Sequence, residues 1–218
     1  MPAALSSAPP APPPLKEESA TARILGTARR HLFTYGYNAL TMDDLAHELG
    51  MSKKTLYLHF PGKDAIIGTI IDGIGRAMRS EMEAVLNDPK LTFVQKLHAV
   101  IDVVAPRLAQ TSPAMLRELQ RYAPGIHQKI DELRQKNIPY VFGRLFRAGI
   151  AEGAVRADLD PDFAAQFWLQ AIRGLTHPDT LASTHLTPKQ TFEKALELFT
   201  GGLLTSAGRK DYEKLFTR

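Results

Sequence analysis

Apolar side chains recur every three to four positions along nearly all of the chain after residue 18, and no run alternates with the two-residue period of a strand. The first stretch sets Ile24, Ala28, Leu32 and Phe33 on one side from Ser19 to Tyr35, where Gly36 ends it. Thr41 has the chemistry of an N-cap for a short helix through Leu49, with Leu45, Ala46 and Leu49 turned inward. Gly50 closes that helix, and Ser52 caps a third from Lys53 to about Phe60. Pro61-Gly62 breaks the chain before a longer helix from Lys63 to near Leu86.

Farther on, Asp88-Pro89 marks a turn, after which Phe93, Leu97, Val100, Ile101, Val104 and Leu108 return at helical spacing. Pro106 is expected to bend or end that helix. Ser112-Pro113, Asp160-Pro161 and Thr187-Pro188 each place a capping residue before a first-turn proline, which predicts helix starts near 113, 161 and 188. Between the first two, a helix from about Gly125 to Ala151, interrupted by Pro139, presents Ile126, Ile130, Leu133, Ile138, Val141 and Leu145. The pattern predicts an all-α chain without internal repeats.

Composition sharpens this in a few places. Of 218 residues, 44% are apolar and 23% charged, the range of a soluble globular protein. Cysteine is absent, which excludes disulfides, thiolate metal sites and cysteine nucleophiles. No apolar run approaches the length of a membrane span, and the first fifteen residues lack the basic and apolar regions of a secretory signal, so a cytoplasmic location without membrane partners is expected. Residues 1–17 are rich in proline and alanine, bury little, and are expected to form a disordered arm. The net charge of +4 permits a polyanionic partner, and its distribution is more informative. From Met51 to Lys63 there are three lysines and no carboxylate.

Two short helices joined through Gly50, the second opening on Ser52-Lys53-Lys54-Thr55, form a helix-turn-helix candidate. Such a pair lays the start of its second helix against base edges in the major groove while the first crosses the phosphate backbone. With Leu45, Leu49, Leu56 and Phe60 packed beneath, Lys53, Lys54, Thr55, Tyr57 and His59 face outward. Lysine attracts phosphate and donates to guanine, threonine offers a hydroxyl and a methyl, and tyrosine brings a phenol to phosphate oxygen. Thr41 and Lys63 stand at helix N-termini, where free N–H groups and the dipole favour phosphate. Plainer readings exist for each. Lysines on a short helix are commonly a solvated face, Tyr57 suits a partly buried core position, and His59 counts as a hydrogen-bonding group more than a charge. Their joint placement after the Gly50 turn favours DNA.

The stretch from Ile24 to Ile66, ILGTARRHLFTYGYNALTMDDLAHELGMSKKTLYLHFPGKDAI, resembles the DNA-binding domain of the TetR (tetracycline-repressor-like) family of bacterial regulators. The resemblance is carried by Ala28, Phe33, Gly36, Tyr37, Thr41, Leu45-Ala46, Gly50, Ser52, Thr55-Leu56-Tyr57, His59-Phe60 and Lys63. It implies an all-α homodimer with an N-terminal three-helix helix-turn-helix DNA-binding domain, residues 18–64, and a C-terminal helical dimerisation and effector domain, residues 65–218. By the same likeness Thr41, Tyr57, His59 and Lys63 contact phosphates of a near-palindromic double-stranded operator, and Lys53, Lys54 and Thr55 lie near bases. Two positions depart from the family pattern. Lys54 stands where relatives often have a small residue, and Leu58 is apolar where a polar residue is frequent.

Beyond residue 65 the signals are broader. Phe163, Phe167 and Ala171 form one stripe, and Phe192, Leu196, Phe199 and Leu203 another. Periodicity alone favours monomer core for such stripes, whereas the resemblance makes them an intersubunit four-helix bundle. A cavity for an unknown small-molecule effector is expected among Met82, Ile101, Val104, Met115, Leu119, Tyr122, Tyr140, Phe146 and Trp168, with Arg173 and His177 towards an acidic ligand. The methionines and aromatics among them fill irregular cores equally well, and Arg173 equally suits the surface. The expected function is a ligand-released repressor without a cofactor, the alternative being a helical adaptor or a general DNA-binding protein lacking an effector. An enzyme is disfavoured: the seven histidines show no metal-ligand spacing, Gly73-Ile74-Gly75 lacks the third glycine of a dinucleotide loop, and Asp43-Asp44 sits at a helix start.

Overall fold

Capping chemistry and apolar period together set the elements seen in the computed structural model, which describes residues 19–216. Eleven helices lie among them: α1 (Ala20–Tyr35), α2 (Met42–Leu49), α3 (Lys53–His59), α4 (Lys63–Asn87), α5 (Phe93–Ala109), α6 (Pro113–Tyr122), α7 (Pro124–Ala151), α8 (Pro161–Leu175), α9 (Pro178–Thr184), α10 (Pro188–Leu203) and α11 (Ser206–Phe216). The proline-rich arm predicted for residues 1–17 lies outside the described residues. Ser19, Thr41, Ser52, Ser112, Asp160 and Thr187 each accept a first-turn backbone N–H, as their positions predict. Thr92 and Thr187 complete capping boxes with Gln95 and Gln190.

Two prolines do less than their chemistry suggests. Pro106 sits near the end of α5, which continues to Ala109, and α7 runs unbroken for 28 residues through Pro139. In α7 the residues that follow the proline, Val141, Phe142, Leu145 and Phe146, are buried, and their packing offsets the lost N–H bond. Helices α9 and α11 are additions to the predicted set. Helix α9 opens on His177-Pro178, the same cap-then-proline arrangement with an imidazole as the cap acceptor.

The core has two parts. One gathers Ile24, Leu32, Leu45, Leu56 and Ile66 from α1 to α4 and extends to Met115, Leu119 and Ile126 of α6 and α7. The other joins Met82, Phe93, Leu145, Phe146, Trp168 and Phe192. Helix α4, about 37 Å long at 1.5 Å per residue, belongs to both: Ile66, Ile67, Ile70 and Ile71 lie in the first and Met82 and Leu86 in the second. Helix α4 therefore links the two parts of the core.

Candidate nucleic-acid interface and an adjoining cavity

The turn between α2 and α3 is built by Gly50, whose φ of 63° is open to glycine and strained for most L side chains. Its N–H and that of Met51 close on the last carbonyls of α2, and Ser52 then caps α3 by accepting from Thr55 N at 3.0 Å. Helix α3 buries one residue, Leu56, with Phe60 just beyond it as a second anchor. Lys53, Lys54, Thr55, Tyr57, Leu58 and His59 are all exposed. A seven-residue helix held by so little apolar contact leaves nearly its whole surface open to solvent.

The individual groups differ in how free they are. Lys53 pairs with Asp43 of α2 at 2.6 Å, which raises its pKa, whereas Lys54 has no ionic partner among the described residues. Thr55 shares a hydroxyl contact with Ser52 at 2.8 Å, and His59 Nδ1 lies 3.4 Å from Thr21 Oγ1. Tyr57 and Leu58 are 51% and 79% exposed, so Leu58 does not serve the core. The Thr41 hydroxyl accepts from Asp44 N at 3.1 Å and donates to the Asp44 carboxylate at 2.6 Å. Lys63 folds back onto the loop before α2, donating to the carbonyls of Tyr37 and Leu40 at 3.2 and 3.3 Å. Its ammonium also lies 3.9 Å from the centroid of the Tyr37 ring. In this arrangement Lys63 braces a loop.

Other braces escaped the sequence analysis. Arg23 donates to the Leu49 carbonyl at 3.1 Å, tying α1 to the end of α2, and Glu48 takes both Arg30 and His31. The His31 hydrogen bond, then Arg30, hold the Glu48 carboxyl below its usual range. The Tyr37 phenol donates to Asp64 at 2.8 Å, and burial followed by that carboxylate pushes its pKa up to about 12. Glu118 of α6 accepts from Asn38 N at 3.0 Å, so the larger helical region grips the α1–α2 loop directly. These partners stand 17 to 80 positions apart and leave no periodic signal.

Beside this unit lies an apolar cavity of about 230 Å³. Of the predicted lining, Met82, Val104, Met115, Leu119 and Trp168 border it. Five predicted residues do not. Tyr122 is half exposed at the end of α6, with Arg121 5.3 Å from its ring. Tyr140 is covered by Arg79 and Arg144, 3.9 and 5.5 Å from its centroid. Phe146 is buried against Phe142 and Phe199, Ile101 packs on the second core, and Arg173 donates to Asp131 at 2.7 Å. His177, also outside the lining, lies 3.0 Å from Gln120. Arg29 and Phe33 of α1, Ile71 and Gly75 of α4, and Arg134 of α7 also border the space, although nothing in their spacing sets them apart from ordinary helix positions. Leu133 approaches Gly75 so closely that a Cβ there would stand 3.0 Å from its methyl groups.

The predicted dimer stripes divide. Phe192, Leu196 and Leu203 face the core of this chain, as periodicity favours, with Phe192 5.8 Å from Trp168. Phe199 is half-buried and stacks on Phe167 at 5.9 Å. Phe163 and Phe167 of α8 are 68% and 54% exposed, and Leu198 of α10, not predicted, is 82% exposed. No helix among the described residues is long and apolar enough to cross a membrane.

Residues 24–70 match the family profile described as bacterial regulatory proteins, tetR family. The HTH-type transcriptional regulator YvaF of Bacillus subtilis, itself uncharacterized, is 20% identical over 181 residues, covering 83% of this chain and 94% of that protein. The HTH-type transcriptional regulator EthR of Mycolicibacterium smegmatis is 43% identical over 51 residues, 23% of this chain and 24% of that one. Among solved structures, the fatty acid degradation regulator FadR from Bacillus halodurans superposes with a TM-score of 0.63 at 17% identity, over 86% of this chain and 98% of that chain. The shared architecture thus extends well beyond the matched N-terminal segment.

Proposed function

We infer, for a chain that belongs to the TetR family of DNA-binding bacterial transcriptional regulators, that it is a homodimeric repressor released from a near-palindromic operator by a small molecule in the cavity. One observation carries this reading. The walls of the cavity include Arg29 and Phe33 of α1 and Ile71, Ile74 and Met78 of α4, the helices that hold the DNA-reading pair in place. A ligand that fits one setting of α1 and α4 better than another shifts the population between them by that difference in affinity. Because two recognition helices must sit about 34 Å apart, or a multiple of it, to read successive major grooves, a small tilt suffices to weaken DNA binding.

In this reading Lys53, Lys54 and Thr55 approach bases and Thr41, Tyr57 and His59 approach phosphates, while Lys63 supports the loop that presents them. The second copy packs on Phe163, Phe167 and Leu198, an apolar face whose isologous pairing suits a twofold site. The decisive experiment is selection and sequencing of genomic fragments retained by the purified protein near physiological salt, alongside light scattering. Enrichment of a short near-palindrome by a dimer supports the proposal, and Phe167→Asp should yield monomers that no longer retain it. Retention without a shared sequence would indicate general DNA binding. No retention, even after denaturation and refolding to strip a resident ligand, would favour the adaptor reading.

A further inference from the structure

The cavity is apolar along most of its wall, yet the charges that reach it are all of one sign. Among the described lining residues are three arginines, Arg29, Arg107 and Arg134, and no carboxylate. The three are not equivalent. Arg29 lies on the exposed side of α1, and Arg107 is already held by Glu81 at 2.6 Å and by the Val103 carbonyl. Arg134 sits within α7, immediately after the Leu133 wall, and its one ionic partner among the described residues is Asp131 at 3.6 Å. Asp131 is itself engaged at shorter range, accepting from Arg173 at 2.7 Å through its other oxygen. Two guanidiniums therefore share one carboxylate, and the one that borders the cavity is the less well served.

Burial lowers the Arg134 pKa, with Arg173 adding to the fall and Asp131 opposing it, as expected for a cation whose surroundings lack a full counter-charge. Asn137, three positions along the same helix, also lines the space. Its carbonyl oxygen is taken by Arg79 at 3.2 Å, which leaves its amide N–H groups as further donors. Size narrows the ligand. A dry cavity of 150 Å³ holds benzene, so 230 Å³ corresponds to roughly nine or ten non-hydrogen atoms.

We propose that the occupant is a small amphipathic acid, an apolar body whose single carboxylate pairs with Arg134 and draws a further hydrogen bond from Asn137. This rests on the cavity being the ligand site. A planar guanidinium matches a carboxylate through two parallel hydrogen bonds, and the low-polarity wall strengthens them. The acid completes a charge balance that the protein leaves open.

The test uses the full chain and Trp168, its one tryptophan, which borders the cavity and reports occupancy by its emission. Octanoate and phenylacetate are titrated against their neutral counterparts, 1-octanol and 2-phenylethanol. At least one acid should bind tenfold or more tightly than its own alcohol. In Arg134→Met that advantage should vanish while the alcohols bind as before, and Arg29→Met should leave it intact. Asp131 keeps Arg173 in Arg134→Met, so no carboxylate is orphaned; should that variant fail to fold, the wild-type acid-to-alcohol ratio still decides. Equal binding of acid and alcohol, or an acid preference that survives Arg134→Met, overturns the proposal while leaving the cavity as a ligand site. If none of the four probes alters Trp168 emission, the proposal and the cavity's role as ligand site fall together.

Discussion

Replacing Lys63 with methionine is expected to loosen the DNA-reading unit without removing a phosphate contact. The ammonium makes two hydrogen bonds to loop carbonyls, at 3.2 and 3.3 Å, and a cation–π contact at 3.9 Å. A hydrogen bond to a charged group contributes about 1.5–3 kcal/mol and a partly desolvated cation–π contact about 1 kcal/mol. All three come from one half-buried charge and both hydrogen bonds are long, so they do not add, and the net loss should be about 2 kcal/mol. Methionine keeps the aliphatic stem over the Tyr37 ring, which confines the change to the charge. In a protein of this size the loss corresponds to a fall in Tm of about 4–8 °C. Thermal unfolding followed by far-UV circular dichroism measures it, and the salt dependence of operator affinity supplies the second arm. A lost phosphate contact lowers the slope of log K against log salt by about 0.9, whereas a lost brace leaves it unchanged. A variant with wild-type Tm and a slope reduced by about one unit would refute the reasoning and make Lys63 a phosphate ligand.

Two other outcomes probe the frame around the site. Gly149→Ala should destabilise by about 1–3 kcal/mol despite alanine's better helix propensity, because its Cβ would stand 2.5 Å from Val155 Cγ2 and 2.6 Å from Phe93 Cδ2; a raised urea midpoint would contradict the packing. Burial and Asp64 push the Tyr37 pKa up to about 12 in the folded chain, against 10.0 for a free tyrosine, so above pH 10 the unfolded chain releases this proton first. Its contribution is complete below pH 10 and is lost as pH rises towards 12, by about 2–3 kcal/mol across the window. Denaturant titrations at pH 9 to 11.5 should show that fall in the wild type and a shallower one in Tyr37→Phe.

Much of the DNA-reading unit was legible because its determinants act over a few residues. A capping hydroxyl reaches an N–H two or three positions on, a glycine relieves its own φ, and an apolar period reports one face of one helix. Ser19, Thr41, Gly50 and Ser52 therefore marked the ends of α1 to α3, and Leu45, Leu49, Leu56 and Phe60 their buried side. The same local chemistry misjudged Pro139, whose lost hydrogen bond is offset by neighbouring helices packed on α7. Periodicity favoured core for both phenylalanine stripes and the resemblance an intersubunit bundle for both, whereas within the chain Trp168 covers Phe192 and solvent meets Phe163. The cavity was legible only in part: Met82, Val104, Met115, Leu119 and Trp168 were expected in it, but α1, α4 and α7 add walls that read as ordinary core, and only the packing of those helices sets the space between them. Along one chain, sequence specifies which side of a helix avoids water, but what stands opposite that side is set by elements dozens of residues away, through contacts and ion pairs that no local pattern encodes.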